Sequence, residues 1–190
     1  MAKIIIRDAR LAFPDLFVPV QFQNAGPFSY RATFLIDTEN PAKKEIDAAL
    51  KDVAKEKWGA KAAAILPTIL PMSNKCCFAD GNTKAYNGYE GNWALTATRG
   101  QDSGRPVTVG RGGAKDPITA EDAKFFAGCY VNAVVELWAQ DNSFGKGLRA
   151  TLNSVQFVRV GESFGGAAPA TAAGIDDLGY DEDEDEDDMY

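Results

Sequence analysis

Residues 128–140 read GCYVNAVVELWAQ, and their alternation decides the class of fold. In a strand, successive side chains point to opposite faces. One face then carries Cys129, Val131, Ala133, Val135, Leu137 and Ala139, all apolar, and belongs in a core. The other carries Tyr130, Asn132, Val134, Glu136, Trp138 and Gln140, a mixture suited to solvent, a ligand or a covering helix. Residues 148–160 repeat the pattern, with Leu148, Ala150 and Leu152 inward and Arg149, Thr151 and Asn153 outward. The DNSFGKG segment between them reads as a hairpin loop, which would put Arg149 on the same surface as Trp138.

Upstream, KIIIRDARLAF (residues 3–13) is a strand by composition, and YRATFLID (30–37) alternates Tyr30, Ala32, Phe34 and Ile36 against Arg31, Thr33, Leu35 and Asp37. Between them, residues 14–29 hold three prolines, a glycine and Phe17, Phe22 and Phe28; they read as a long loop whose aromatics anchor it. Asn40-Pro41 opens a helix that runs to about Trp58 and stops at Gly59, with Ile46, Ala49, Leu50, Val53, Ala54 and Trp58 as one apolar stripe. A short Ala-rich helix follows and should end before Pro67. Residues 75–98 read as strands around an Asp80-Gly81 turn, residues 99–117 as a flexible basic loop with five glycines, and residues 119–126 as a turn or two of helix capped by Thr119. Six or seven strands around one main helix make the chain mainly β with an inserted helix. That order fits a small β-barrel or sandwich better than βαβ repetition.

Charge is split along the chain. Residues 161–190 hold 11 of the 27 acidic residues and none of the 20 basic ones, which leaves residues 1–160 with a net of +4 although the whole chain carries -7. The C-terminal segment is small, polar and finally acidic, so it cannot bury enough apolar surface to offset chain ordering and is expected to be disordered. The division is therefore a folded body, 1–160, and an acidic tail, 161–190.

Several chemistries find no support. Histidine is absent, which removes the commonest general base and metal ligand. There is no phosphate-binding G-x-x-x-x-G-K-[ST] loop. Cys76, Cys77 and Cys129 have neither a disulfide-framework nor a zinc spacing. No apolar run is long enough to cross a bilayer as a helix. The expectation is a protein without enzymatic activity, cofactor or metal.

Binding of single-stranded nucleic acid fits better, because a basic groove tracks phosphates while aromatic rings stack on bases of any sequence. The candidates are Lys84, Tyr86, Tyr89 and Trp93; Arg99, Arg105, Arg111 and Lys115 in the Gly-rich loop; and Tyr130, Trp138, Lys146 and Arg149 around the second hairpin, where Phe144 also sits. Competing roles are structural. Trp58 belongs to the core. Trp93 alternates with Leu95 and Ala97 and suits the core as well as stacking. Tyr130 and Trp138 equally suit a site beneath the helix or at a subunit interface. The loop arginines equally suit plain solvation. Tyr86 and Tyr89, amid glycines, read as exposed. The tail's end, Asp185, Glu186, Asp187, Asp188, Met189 and Tyr190, suits partner binding, or competition with DNA for the basic body.

GCYVNAVVELWAQDNSFGKGLRATLNSVQFVRVGESFGG, the opening KIIIRDARLAFPDLF and the acidic end resemble a family of bacteriophage single-stranded DNA-binding proteins, and the likeness spans nearly the whole chain. The resemblance implies an OB-fold barrel, binding of single-stranded DNA without strong sequence preference, and a role in phage replication or recombination in the host cytoplasm. It also implies a tail that recruits replication or recombination proteins; self-association is a further expectation. The helix and loops of residues 40–70 exceed what a minimal OB barrel needs. Rival readings are a strand-annealing recombination mediator, an assembly protein whose tail mimics DNA, and a nuclease.

Overall fold

In the computed structural model, which describes residues 1–165, the two alternating segments pair as antiparallel strands. β6 (Tyr130–Asn142) and β7 (Gly145–Arg159) form the hairpin, with Trp138 opposite Arg149. Cys129, Val131, Ala133, Val135 and Leu137 are buried on one face, as are Leu148, Ala150 and Leu152, so the period-two reading holds up to Ala139, which is only half-buried.

The remaining elements are β1 (Ala2–Gln21), β2 (Phe28–Asp37), α1 (Pro41–Trp58), α2 (Ala62–Ile69), β3 (Phe78–Asp80), β4 (Asn92–Gly100) and β5 (Val107–Val109). The sheet order is β3-β4-β2-β1-β6-β7-β5, and a parallel contact of Thr98 with Thr151 joins β4 to β7. β1, β2, β4, β7 and β6 therefore close into a five-stranded barrel, the OB arrangement. Closure buries Ile6, Leu11, Leu16, Phe34, Ile36, Leu95 and Leu152 inside it. Helix α1 packs against β6 and β1 and adds Ile46, Leu50, Val53, Ala54 and Trp58 to the same core. Asn40 caps it, its Oδ1 accepting from the Ala42 amide at 3.0 Å while its Nδ2 donates to the Arg7 carbonyl, and Gly59 ends it at φ 55°.

Three expectations change. The long loop expected at 14–29 is largely strand: β1 continues to Gln21. Pro14 and Pro19 fall where the β1–β2 register shifts, between Ala12 and Asp15 and between Asp15 and Val20. A proline is tolerated at a bulge because no ladder N–H is required there. The connection shrinks to residues 22–27; Phe22 within it and Phe28 at the start of β2 are exposed rather than anchoring, while Phe17 is half-buried against Phe125. Second, α2 runs past Pro67 to Ile69. Proline's fixed φ suits the helix, and the lost bond falls on the side where Ala63 and Pro67 face solvent. Third, the basic loop 99–117 is not structureless. Arg99 and Gly100 belong to β4, β5 adds to β7 in parallel, and Asp116 binds the Gly112 amide. Thr119 caps a single 3-10 turn, as its position suggested.

Candidate nucleic-acid interface

The outer face of β1, β2 and β4 carries the aromatic and basic groups best placed for a ligand. Phe13 lies in the first register shift of β1 with φ 48°. A bulky residue in the left-handed region is costly, and bulges at functional sites commonly re-aim a side chain. Here the bulge leaves the Phe13 ring 45% exposed, 5.1 Å edge-on from Tyr86, which is itself 55% exposed. Tyr86 meets Tyr89 in turn at 5.2 Å.

Tyr89 plays a different part from the one its glycine neighbours suggested. It is only 5% exposed, packed with Ala12, Leu35 and Ala94 in a small outer core. Its ring is a floor for Tyr86 and Phe13 rather than a free stacking surface, and burial raises its phenol above the ordinary value. The loop holding these rings is fixed by Asp80 Oδ1, which accepts from the Asn82 amide, and by Asn82 Oδ1, which accepts from Gly91 N, both at 2.9 Å.

Beyond this cluster, Arg31 and Asp15 face each other across β1 and β2. The Arg31 guanidinium lies 5.2 Å from the Phe22 ring centroid, and its buried Nε has no partner among the described residues. Burial raises the Asp15 carboxyl although the Arg31 charge opposes the shift. Beneath this face the Thr33 and Thr96 hydroxyls are hydrogen-bonded at 3.0 Å, with Thr33 buried.

The other expected site residues are dispersed. Trp93 points inward, 5.2 Å from Phe78, with the Lys43 ammonium 4.3 Å from its ring, so the core role fits its position. Arg99 is spent on structure: its Nε and Nη2 donate to the Gly104 and Ser103 carbonyls at 2.9 Å each. Arg105 sits 5.3 Å from the Phe17 ring, while Arg111 and Lys115 are exposed. Lys84 is exposed and reaches Ser73 at 3.1 Å. Tyr130 lies beneath Arg159, whose guanidinium is 3.6 Å from its ring. Trp138 and Arg149 stand opposite each other on one face of β6 and β7, whereas Lys146, opposite Asp141, falls on the other face beside Ile65 and Ile69 of α2. Trp138 Nε1 donates to Thr151 at 3.1 Å, Arg149 Nε donates to Gln140 at 3.1 Å, and Lys146 pairs with Asp141 at 2.6 Å. The hairpin tip adds Phe144, 85% exposed. Phe13, Phe22 and Arg31 lie on this face although the sequence did not mark them as candidates; Phe13-Pro14 inside a strand is the signal that marks the bulge.

The sequence model of the family described as "Enterobacter phage Enc34, ssDNA-binding protein" matches residues 2–190. The chain belongs to the Enc34 ssDNA-binding protein family. Within the wider likeness, it is 42% identical over 184 residues to "Putative protein p50" of Acyrthosiphon pisum secondary endosymbiont phage 1, covering 96% of this chain and 97% of that one. The single-stranded DNA-binding protein of bacteriophage Enc34, solved in complex with ssDNA, superposes with a TM-score of 0.70 at 23% identity, covering 86% of this chain and 89% of its own. Gp2.5, a single-stranded DNA-binding protein encoded by bacteriophage T7, superposes with a TM-score of 0.54 at 16% identity over 94% of this chain and 98% of that chain. These likenesses establish the barrel as the fold of phage single-strand binders, and Enc34 family membership agrees with the expectation of a binding protein rather than an enzyme. No helix among the described residues is long and apolar enough to cross a membrane. The tail residues Asp185, Glu186, Asp187, Asp188, Met189 and Tyr190 lie outside the described residues.

Proposed function

We propose that this protein binds single-stranded DNA across the outer face of β1, β2 and β4. Phe13, Tyr86 and Phe22 would stack on bases, while Arg31 and the exposed loop cations Lys84, Arg105, Arg111 and Lys115 track phosphates. The observation that carries the reading is the exposed Phe13–Tyr86 pair, aimed outward by a bulge on a barrel of the single-strand-binder type. OB barrels bind oligonucleotides over this sheet face and its flanking loops. Trp138 and Arg149, with Phe144 at the tip, would extend the path onto the hairpin between the last two strands. The Enc34 protein's complex with ssDNA supports the same ligand.

The biological setting follows from that activity: coating exposed strands during phage replication or recombination. The acidic tail would compete with DNA for the basic body and present Met189-Tyr190 to replication or recombination proteins. Fluorescence anisotropy of a labelled dT oligomer and an equal-length duplex, at two salt concentrations, tests the central reading. Salt-sensitive binding that favours the single strand is expected, and no preference for it would overturn the proposal. Removing residues 176–190 should tighten binding; unchanged affinity would remove the competitive role of the tail.

A further inference from the structure

Beside the Phe13–Tyr86 pair lies a half-open cleft of about 440 Å³, within the size range of small-ligand sites. Its walls are the Phe13, Tyr86 and Phe164 rings, and its polar groups include Asp15 and Asn87. Phe164 is seated where Gly88 leaves room for its ring, with the Arg10 guanidinium 4.2 Å from its centroid. The Asn87 amide donates to the Phe164 carbonyl, and the Phe164 amide donates to the Ala127 carbonyl at 3.0 Å. The cleft is therefore a built feature of the barrel's outer face.

Asp15 is the group whose presence the aromatic face does not explain. A carboxylate on a surface that approaches phosphates repels the ligand unless it accepts hydrogen bonds from it. Within 4.0 Å it makes no ion pair among the described residues, and no hydrogen bond among them uses its oxygens. Two acceptor oxygens in a site walled by rings match a base edge that presents donors side by side. Guanine offers N1–H and N2–H2 together. Thymine offers one donor, N3–H, between two carbonyl oxygens that a carboxylate repels. Adenine offers only its N6 amino group.

We infer that this cleft takes one unstacked base of the bound strand against the Phe13 and Tyr86 rings, and that Asp15 accepts from its Watson–Crick edge, so that the site favours guanine over thymine. The inference rests on the proposed single-strand binding. Specificity would then be a modest preference superimposed on sequence-tolerant stacking.

The test compares, on the full chain, a dT 20-mer with versions carrying guanine, hypoxanthine or adenine at four evenly spaced positions. Guanine should tighten binding by roughly five-fold or more, as a bidentate contact does. Hypoxanthine, which lacks the N2 amino group, and adenine should each gain less. In Asp15→Asn and Asp15→Ala the guanine-to-thymine ratio should fall towards one. The ratio is taken within each variant, so a general loss of affinity cancels. Equal affinity for all four oligomers, adenine as tight as guanine, or a ratio that survives both substitutions would overturn the inference while leaving single-strand binding intact. Failure of every oligomer to bind would instead overturn the proposed function.

Discussion

Tyr86 is the residue where stacking can be separated from stability. Its ring is 55% exposed, touches Phe13 edge-on at 5.1 Å and Tyr89 at 5.2 Å, and its hydroxyl makes no hydrogen bond to another described residue. A buried aromatic pair contributes about 0.5–1.5 kcal/mol beyond its area, and half-exposed contacts stand at the low end. Tyr86→Ala should therefore cost about 1 kcal/mol of stability, small against the roughly 5–15 kcal/mol of a typical domain. Its effect on DNA should be larger, because stacking contributes about 1–3 kcal/mol per base, or roughly a 5- to 150-fold weaker Kd. Tyr86→Phe keeps the ring and should stay near wild type. Anisotropy titrations with a dT oligomer give Kd, and circular dichroism melts give stability. The slope of log Kd against log salt should be unchanged, since no phosphate contact is removed. A Tyr86→Ala protein that melts normally and binds within two-fold of wild type would refute the stacking role of this face.

Arg31→Gln should instead flatten the salt dependence by about 0.7, the contribution of one phosphate contact to a single strand. The Asp15 carboxyl, losing the charge that opposes its upward shift, should titrate higher still, which carboxyl NMR would follow. Gly88→Ala strains a residue at φ +81° and drives a Cβ into the Phe164 ring, so chymotrypsin should cut at Phe164 faster in the variant. The cysteines are buried, Cys76 at 1%, Cys77 at 9% and Cys129 at 0% exposed, so a thiol reagent at pH 8 should react with none until the chain is denatured. Burial pushes Cys129 up to about 11 from an ordinary 9.0. A raised folded-state value means that its contribution to stability is intact below about pH 9 and is lost as pH rises through 11, visible as alkaline destabilisation that Cys129→Ala should reduce.

How far the sequence could be read follows from how local each signal is. The β6–β7 hairpin and α1 were legible because their evidence lies in neighbouring residues: alternation over Cys129–Leu137, a cap at Asn40, a proline at the first turn and a glycine at the end. Residues 14–29 misled because Pro14, Pro19 and Pro27 look like breakers, and only pairing with β2 shows that the first two occupy register shifts. Tyr86 and Tyr89 share one glycine-rich setting, yet one is exposed and the other covers Leu35 and Ala94, residues more than fifty positions apart in the chain. Arg99 looked like a loop cation and became a structural donor, because β4 ends where the 101–104 turn places two carbonyls.

By itself, then, the sequence determined the β6–β7 hairpin and β2 with their alternating faces, the capped helix and the separation of a basic body from an acidic end. These depend on periodicity, capping and charge, which act over a few residues. Only the tertiary structure decided that β4 meets β7 to close the barrel, that Phe13 is turned outward beside Tyr86, and that Arg31 and Asp15 share their face. Those outcomes depend on which distant strands hydrogen-bond and in what register, and a one-residue shift in register exchanges the two faces of a strand.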